Sequence, residues 1–183
     1  MRELLWRVAA FVISRRPIAR AIIRRAKRTP YFHLDGYMHR WWVFNGYSAD
    51  TALGDAGREK AKRWPSLPSI RVHHILRADE NDHPHDHPWN ARTIVLDGWY
   101  VEQRVGAPAR VMRRGDTGPI LFESFHHIER VSEGGVYTLF ITWAYGGGWG
   151  FLVDGAKVPW REYLARFGAL PAVNPEQREG EGE

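Results

Sequence analysis

The sequence predicts an all-β fold: a small barrel of short strands with a helical arm before it and a short helix after it. From residue 70 onward, strand-like runs recur about every 8–12 residues with turn residues between them, which is typical of β-sandwiches and barrels. The run 136–143 is rich in the β-branched and aromatic residues that strands favour. Histidines alternate at His83, His85 and His87, and a strand places every second side chain on one face.

The composition is that of a folded chain of 183 residues, long enough for one domain with a core plus short appendages. Hydrophobic residues make up 44% and include 9 Trp, 7 Tyr and 8 Phe, which excludes a disordered protein. The absence of Cys excludes disulfides, thiolate zinc sites and cysteine nucleophiles, and it fits a cytoplasmic protein. No run of about 18 apolar residues is present, so no membrane-spanning helix is predicted.

The net charge of +5 is unevenly distributed along the chain. Residues 1–28 hold nine cationic side chains and one acidic side chain, so this segment contributes +8 and leaves −3 for residues 29–183. The pI of about 9.7 therefore reflects the N-terminal segment and does not indicate a nucleic-acid-binding domain. We expect three parts: a basic amphipathic helical arm over 1–30, a barrel domain over 31–168 and a disordered acidic tail over 169–183.

Two helices are predicted in the arm, over about 2–14 and 17–27, because apolar residues recur there at helical spacing. Pro17 fits this division, since proline is well tolerated in the first turn of a helix. The apolar face of the arm can pack on the barrel and leave the arginines in water. Alternatively, residues 1–28 dock on an anionic membrane surface or a protein partner, whereas a nucleic-acid partner is not expected.

The elements after the arm follow from strand-forming runs and the turn residues between them. Residues 48–69 are expected to form a loop with one short helix around 56–63. Asp97-Gly98 is the strongest short hairpin signal in the chain. Strands are predicted over 31–47, 70–77, 92–96, 99–104, 109–113, 120–122, 125–131, 136–143 and 149–153, and a closing helix over 160–167.

His85 and His87 are the first candidate metal ligands. Alternate residues of a strand are about 6.6–7 Å apart at Cα, which allows two imidazoles to reach one ion. His83 is twice as far from His87, so it is expected at the rim or as an occasional fourth ligand. Pro84 and Pro88 bracket the pair, and since proline is confined to strand starts, edges and bulges, we expect the pair at a barrel mouth.

A third ligand is expected from His126-His127, about forty residues downstream. The strand 125–131 presents these two histidines on opposite faces, and alternation does not choose between them. Asp86 should point away from His85 and His87, so we expect it beside the site or on the surface and not as a ligand.

The histidine segments of the chain resemble the two motifs of the cupin superfamily. The first cupin motif contains His-x-His and a following Gly, and the second supplies a further His after a Gly-Asp turn. His85-x-His87 with Gly98 matches the first, and Gly115-Asp116 with His126 matches the second. The chain is more closely similar, over about 37–165, to poorly characterised bacterial and phage cupin-like proteins. The matching segments are 37–42, 85–89, 98–100, 126–129 and 138–142.

The resemblance implies a cupin double-stranded β-helix, or jelly-roll barrel, and it favours His126 as the third ligand, because arginine is usual where His127 stands. The cupin Glu would fall at Ala91 or Arg92, and neither is a carboxylate. The implied site is therefore His85, His87 and His126, as in cupins that resemble cysteine dioxygenase. Such a site would hold one divalent ion, with Fe(II) favoured and Zn, Ni or Mn as alternatives.

The implied function is a metal-dependent enzyme, foremost an Fe(II) dioxygenase that acts on a small anionic molecule. Tyr100 is the candidate acid or orienting donor, with Tyr137 as an alternative. Arg92 is the candidate clamp for a carboxylate, with Arg104 and Arg113 as alternatives.

Two other classes remain open, because cupin folds host many functions. One is a metal-free isomerase or epimerase, which needs a His base with a carboxylate partner and a Tyr acid. The other is a non-catalytic binding or sensor protein, or a phage-derived structural protein that docks through its basic arm. The expected partners are a small molecule and a second copy of the chain in a homodimer.

Overall fold

The structure, a computed structural model, describes residues 1–47, 62–81 and 83–167. Its helices are α1 (Arg2–Ile13), α2 (Arg16–Ala26) and α3 (Trp160–Phe167). Its strands are β1 (Met38–Phe44), β2 (Ser69–Ile75), β3 (Trp89–Asp97), β4 (Trp99–Arg104), β5 (Arg110–Arg113), β6 (Thr117–Ile120), β7 (His126–Val131), β8 (Val136–Tyr145), β9 (Gly150–Val153) and β10 (Ala156–Pro159). The predicted helix around 56–63 falls almost entirely outside the described residues, and the predicted tail does so entirely.

The strands form antiparallel sheets, and the predicted all-β jelly-roll class is confirmed. The larger sheet has the order β1-β2-β8-β3-β6, the smaller has the order β5-β4-β7, and β9 pairs with β10. In the described part of the chain, no helix has the length and apolar character that crossing a membrane requires.

β8 is the central strand of the larger sheet, paired with β2 and β3. Both of its faces are covered: Phe140 and Thr138 point between the sheets, and Leu139 and Ile141 point towards the helices. Burial of both faces explains why the sequence of β8 is the most strand-like in the chain, since strands buried on both faces consist of nearly continuous apolar runs.

The Asp97-Gly98 turn does not form the predicted hairpin, because β3 and β4 belong to different sheets. The chain turns a corner there with Gly98 at φ +80°, a conformation that glycine adopts without steric cost. A Cβ at Gly98 would lie 2.5 Å from Ser132 Oγ and 2.8 Å from the Gly135 carbonyl oxygen. The sequence signal marks a turn correctly, but burial of both strands decides their partners.

The two N-terminal helices cover the outer face of the larger sheet. Ala10 of α1 and Ala19 and Ala26 of α2 are almost fully buried against Ile94 and Leu96 of β3. Small residues at these positions let the helix backbones approach the sheet closely, which a longer side chain would prevent. A second core lies between the two sheets and is built from Ile75, Val95, Tyr100, Met112, Ile128 and Val136.

Candidate metal centre

The structure brings His85, His87 and His126 together. His85 and His126 are backbone partners in an isolated bridge, with two N–H···O hydrogen bonds of 2.9 Å. His87 follows two residues later, and its Nε2 lies 2.9 Å from Nε2 of His126. One nitrogen from each ring lies within 4.8 Å of the others, so the three can converge on one ion with small side-chain adjustments.

Glu102 fixes the orientation of His126. β4 pairs with β7, and Glu102 Oε1 accepts a hydrogen bond of 2.7 Å from His126 Nδ1. A neutral ring that donates through Nδ1 presents a lone pair at Nε2, which is the atom that faces His87. Carboxylates that orient a ligating histidine in this way are a regular part of protein metal sites.

Glu102 is fully buried and is held as a carboxylate by its neighbours. Burial by itself raises its pKa, but the hydrogen bond and charge of His126 and the charges of Arg104 and Arg110 outweigh this and lower its pKa to about 2. Arg110 Nε lies 2.7 Å and Arg104 Nε 3.2 Å from its Oε2. The acceptor for His126 is therefore present throughout the physiological pH range.

Burial keeps the other two histidines in their neutral form, the form that binds metal. The pKa of His85 is lowered to about 4, chiefly by burial, with a contribution from His126 and an opposing one from Asp79. Burial also holds the pKa of His87 well below its ordinary value, and His126 and His85 add to this effect. His85 and His87 can thus offer uncharged nitrogen donors at neutral pH.

Asp79 is the second carboxylate beside the cluster. Its Oδ2 accepts a hydrogen bond of 2.8 Å from the backbone N–H of Ile128 and lies 3.6 Å from His85 Nδ1. Its Oδ1 accepts a hydrogen bond from the Tyr37 hydroxyl. Two fixed contacts hold this carboxylate at the side of His85, where it can orient the ring.

The remaining histidines of the two segments, His83 and His127, are not among the convergent donors. His127 points to the other side of β7, with its Nδ1 3.8 Å from Asp79 Oδ2. His83 contacts α3, where its Nδ1 lies 2.9 Å from the Tyr163 hydroxyl. The structure thus places His126, and not His127, next to His85 and His87.

Asp86 points away from the cluster, as strand alternation predicts, but it is fully buried and not on the surface. It accepts a hydrogen bond of 2.7 Å from the Gly150 backbone N–H and forms an ion pair with Lys157. These contacts attach the β9–β10 hairpin to the His85–His87 segment. The hairpin in turn places Phe151 against His85.

The predicted arginines have partners elsewhere. Arg92 lies on the helix-covered face of β3, where it pairs with Glu3 and stacks on Trp6, so the sheet separates it from the three histidines. Arg104 is engaged with Glu102 and with the Pro119 carbonyl oxygen. Arg113 is exposed on β5.

Tyr100 lies in the core between the sheets, two residues before Glu102 on β4. Burial, together with the charge of Glu102, raises its pKa, so the hydroxyl keeps its proton. Tyr137 lies on the opposite face of the larger sheet, stacked on His74 with ring centres 3.9 Å apart. Of these two tyrosines, Tyr100 is the one on the side of the histidine cluster.

Arg71, on β2, is a further buried cation. Its guanidinium is surrounded by the rings of Tyr31, Trp42, Trp89 and Phe140 at 5.0–5.7 Å. Its Nε has no hydrogen-bond partner among the described residues, although the side chain is only 2% exposed. Phe140 also contacts His87, with ring centres 5.6 Å apart, so the same ring contacts both the Arg71 guanidinium and the histidine cluster.

The three missed residues are Asp79, Glu102 and Arg71. A weak signal existed for Glu102, which lies two residues after Tyr100 on the same face of β4, whereas Arg71 alternates with Ile70 and Val72 in the manner of an exposed strand residue. Asp79 lies in a segment of four acidic or amide residues, where nothing in the sequence distinguishes it.

No protein-family model matches the chain, and no curated protein matches it. Solved structures similar to it include a cupin-like protein from Thermotoga maritima MSB8, with TM-score 0.42, 17% identity and coverage of 75% of this chain and 92% of that one. The hydroxypropylphosphonic acid epoxidase of S. wedmorenis has TM-score 0.46, 13% identity and coverage of 64% and 56%. A protein of unknown function from Rhizobium leguminosarum bv. viciae 3841 has TM-score 0.44, 17% identity and coverage of 67% and 93%. One of these neighbours is described as cupin-like, and similarities of this size assign neither a family nor a chemistry to this chain.

Proposed function

We propose that this chain is a metal-dependent enzyme of the cupin type that acts on a small anionic molecule. The observation that carries the proposal is the convergence of His85, His87 and His126 within 4.8 Å. Imidazole is the commonest protein ligand for metal ions. Glu102, the carboxylate closest to the cluster, orients His126 and is not itself among the convergent donors.

Three neutral imidazoles would leave a bound divalent ion its full charge and open positions for an anionic substrate and a co-substrate such as oxygen. Fe(II) is our first choice because of the resemblance in sequence, and the same donors accept Zn, Ni or Mn. The protein's own contribution is to hold the rings of His85 and His87 neutral by burial, and to orient His126 through Glu102 and His85 through Asp79.

Arg71 supports the anionic character of the substrate. A buried guanidinium is costly unless it is compensated, and aromatic faces compensate it only in part. It has no ion pair among the described residues, so an anionic group of a substrate, such as a carboxylate, would supply a counter-charge to it. We therefore assign to Arg71 the role of anion clamp that the sequence suggested for Arg92.

The first test is elemental analysis of the purified full-length protein after reconstitution with Fe(II) in the absence of oxygen. We expect one ion per chain, lost in the variant His85→Ala/His87→Ala/His126→Ala and retained in the matched control His83→Ala/His127→Ala. Oxygen consumption with small acids and thiols would then be compared between the unaltered chain and Arg71→Met. Failure to bind Fe(II), and also Zn, Ni and Mn when each is tried in its place, or equal binding by the triple variant, would overturn the proposal.

A metal-free isomerase or epimerase is the second candidate, and one observation favours it. His126 and Glu102 form a buried pair at 2.7 Å, and protonated Tyr100 lies two residues away on the same strand. This is the combination of base, carboxylate partner and acid that such chemistry requires. A purified protein that exchanges a substrate proton with solvent deuterium in the presence of a chelator would favour this candidate over the metal-dependent one.

A further inference from the structure

The outward face of α1 is strongly apolar. Five large apolar side chains of this helix are between 48% and 65% exposed, and they are Leu4, Leu5, Val8, Phe11 and Val12. Their spacing of three and four residues places them on one continuous face. The opposite face is already used, because Trp6, Ala10 and Ile13 pack into the core over β3. Folding of the described chain therefore leaves this outward face without a partner.

Cationic side chains surround the apolar face. α2 packs its own apolar side on the same sheet through Ala19, Ile23 and Ala26, which turns Arg20, Arg24 and Arg28 outwards. At the junction of the two helices, Arg15 and Arg16 are exposed, and the guanidinium of Arg15 lies 3.8 Å from the centre of the Phe11 ring. The described residues provide no ion-pair partner for any of these five arginines.

The acidic side chain of the arm does not offset this charge. Glu3 is paired with Arg92 of β3, so its carboxylate neutralises a sheet residue and not the arginines of the arm. Since α1 contacts β3 and β6 and α2 contacts β1, β2 and β3, both helices lie on one side of the larger sheet. The apolar face and the arginines consequently point away from the sheet together.

We propose that α1 and α2 form a docking surface for an anionic lipid membrane. An apolar helix face bordered by arginines fits the boundary between acyl chains and phosphate headgroups, where the apolar residues are buried and the arginines bind phosphate. At 12 residues, α1 is about 18 Å long, too short to cross a hydrocarbon core of about 30 Å. The helix therefore lies in the plane of the membrane surface, and the barrel stays in water.

A cleft beside α2 offers a place for a lipid headgroup. Its volume is about 420 Å³, and it is lined by Arg20, Ile23, Arg24, Lys27, Asp97 and Tyr137. Three cations against one carboxylate favour a phosphate there, and two of the three belong to the arginine row that points outwards. The cleft lies on the helix-covered side of the larger sheet, separate from the histidine cluster.

The test is co-flotation of the full chain with vesicles of phosphatidylcholine alone and of phosphatidylcholine with phosphatidylserine. We expect binding to the anionic vesicles only, weakened by 0.5 M salt. The variant Leu4→Ser/Val8→Ser/Phe11→Ser should lose at least about tenfold in affinity, because it removes the apolar face. Arg20→Gln/Arg24→Gln/Arg28→Gln should lose up to about a hundredfold, at roughly fivefold for each cation.

Matched controls distinguish binding through this surface from nonspecific adsorption of the protein to vesicles. Val105→Ser/Val111→Ser removes exposed apolar side chains from the smaller sheet and its turn, and Arg113→Gln/Arg114→Gln/Arg130→Gln removes three exposed charges there. Both controls should bind vesicles like the unaltered chain. The proposal is overturned if the unaltered chain does not float, if controls and test variants lose binding equally, or if the α1 variant instead turns a stable dimer into a monomer.

Discussion

Glu102 is the residue whose replacement probes the metal centre without removing a ligand. Glu102→Gln should weaken metal affinity about 10- to 100-fold, because His126 would lose the carboxylate that fixes its ring and tautomer. The measurement is competition with a chelator of known affinity. Glu129→Gln is the matched control, since Glu129 is exposed on the neighbouring strand β7.

Equal metal affinity in Glu102→Gln and in the unaltered chain would show that the pair with His126 is structural. The substitution also leaves Arg104 and Arg110 without their carboxylate, so thermal unfolding is measured alongside. A loss of stability with unchanged metal affinity would count against the orienting role.

His73 makes the folded state sensitive to acid. It is buried between the sheets with its ring stacked on Phe140, and burial, with the charges of Arg71 and Arg40, holds its pKa well below the ordinary 6.5. A lowered pKa in the folded state means that the unfolded chain binds more protons below pH 6.5. The stability associated with neutral His73 is therefore complete above pH 6.5 and is lost as the pH falls towards the folded-state pKa.

We expect the free energy of unfolding of the metal-free protein, measured with urea at pH 5.0, 6.0 and 7.5, to fall with decreasing pH. In His73→Leu the fall should be smaller by up to about 1.4 kcal/mol per pH unit, which is the effect of one proton. Parallel curves for the two proteins would contradict the assignment of a depressed pKa to His73.

At the level of elements, the corner between β3 and β4 is the point where the chain passes from one sheet to the other. Gly98→Ala should destabilise the fold by about 2–4 kcal/mol, because the new Cβ meets Ser132 Oγ and the Gly135 carbonyl oxygen and because φ is +80°. Denaturant unfolding is the measurement.

Gly106→Ala serves as the control for Gly98→Ala. Gly106 has φ +75°, but no atom lies within 4 Å of the position of its Cβ, so only the backbone cost of about 1 kcal/mol applies. Equal losses in the two variants would mean that the close approach at the corner is relieved by movement and does not constrain the crossing between sheets.

Sheet membership is the feature of the elements that local sequence did not indicate. The strand-forming runs predicted β2, β4, β7, β8 and β9 to within a few residues, and the closing helix matches α3. The run 92–96 and the Asp97-Gly98 signal predicted a hairpin, whereas β3 pairs with β6 and β8. A turn signal depends on a few dihedral angles, but pairing depends on which faces can be buried together across the whole domain.

For the whole molecule, a bound metal should raise thermal stability, because the three histidines converge only in the folded chain. Free Fe(II) or Zn at about 100 times its dissociation constant should add about 2.7 kcal/mol and raise the Tm by roughly 5–10 °C. Differential scanning fluorimetry checks this in a metal series, with chelator added at the end.

The same experiment on His85→Ala/His87→Ala/His126→Ala should show no metal-dependent change in Tm, and His83→Ala/His127→Ala should respond like the unaltered chain. An increase in the triple variant would place the binding site elsewhere. The predicted homodimer and the boundaries of the three predicted parts stay predictions, which size-exclusion chromatography and limited proteolysis can examine.

The sequence by itself determined the fold class, the amphipathic helices and the closeness of His85 to His87, because these follow from periods of two and 3.6 residues. The structure has no regular strand at these two histidines, since His85 forms an isolated bridge and β3 begins at Trp89. The sequence also showed that residues 1–28 are basic and that the remainder has a net negative charge, since the charge of a segment is the sum over its residues. The tertiary structure alone decided that Glu102 holds His126, that Arg71 and not Arg92 faces the interior, and that Asp79 borders His85. Those contacts join residues far apart in the chain, and which residues meet depends on how β-strands from two sheets are buried against each other.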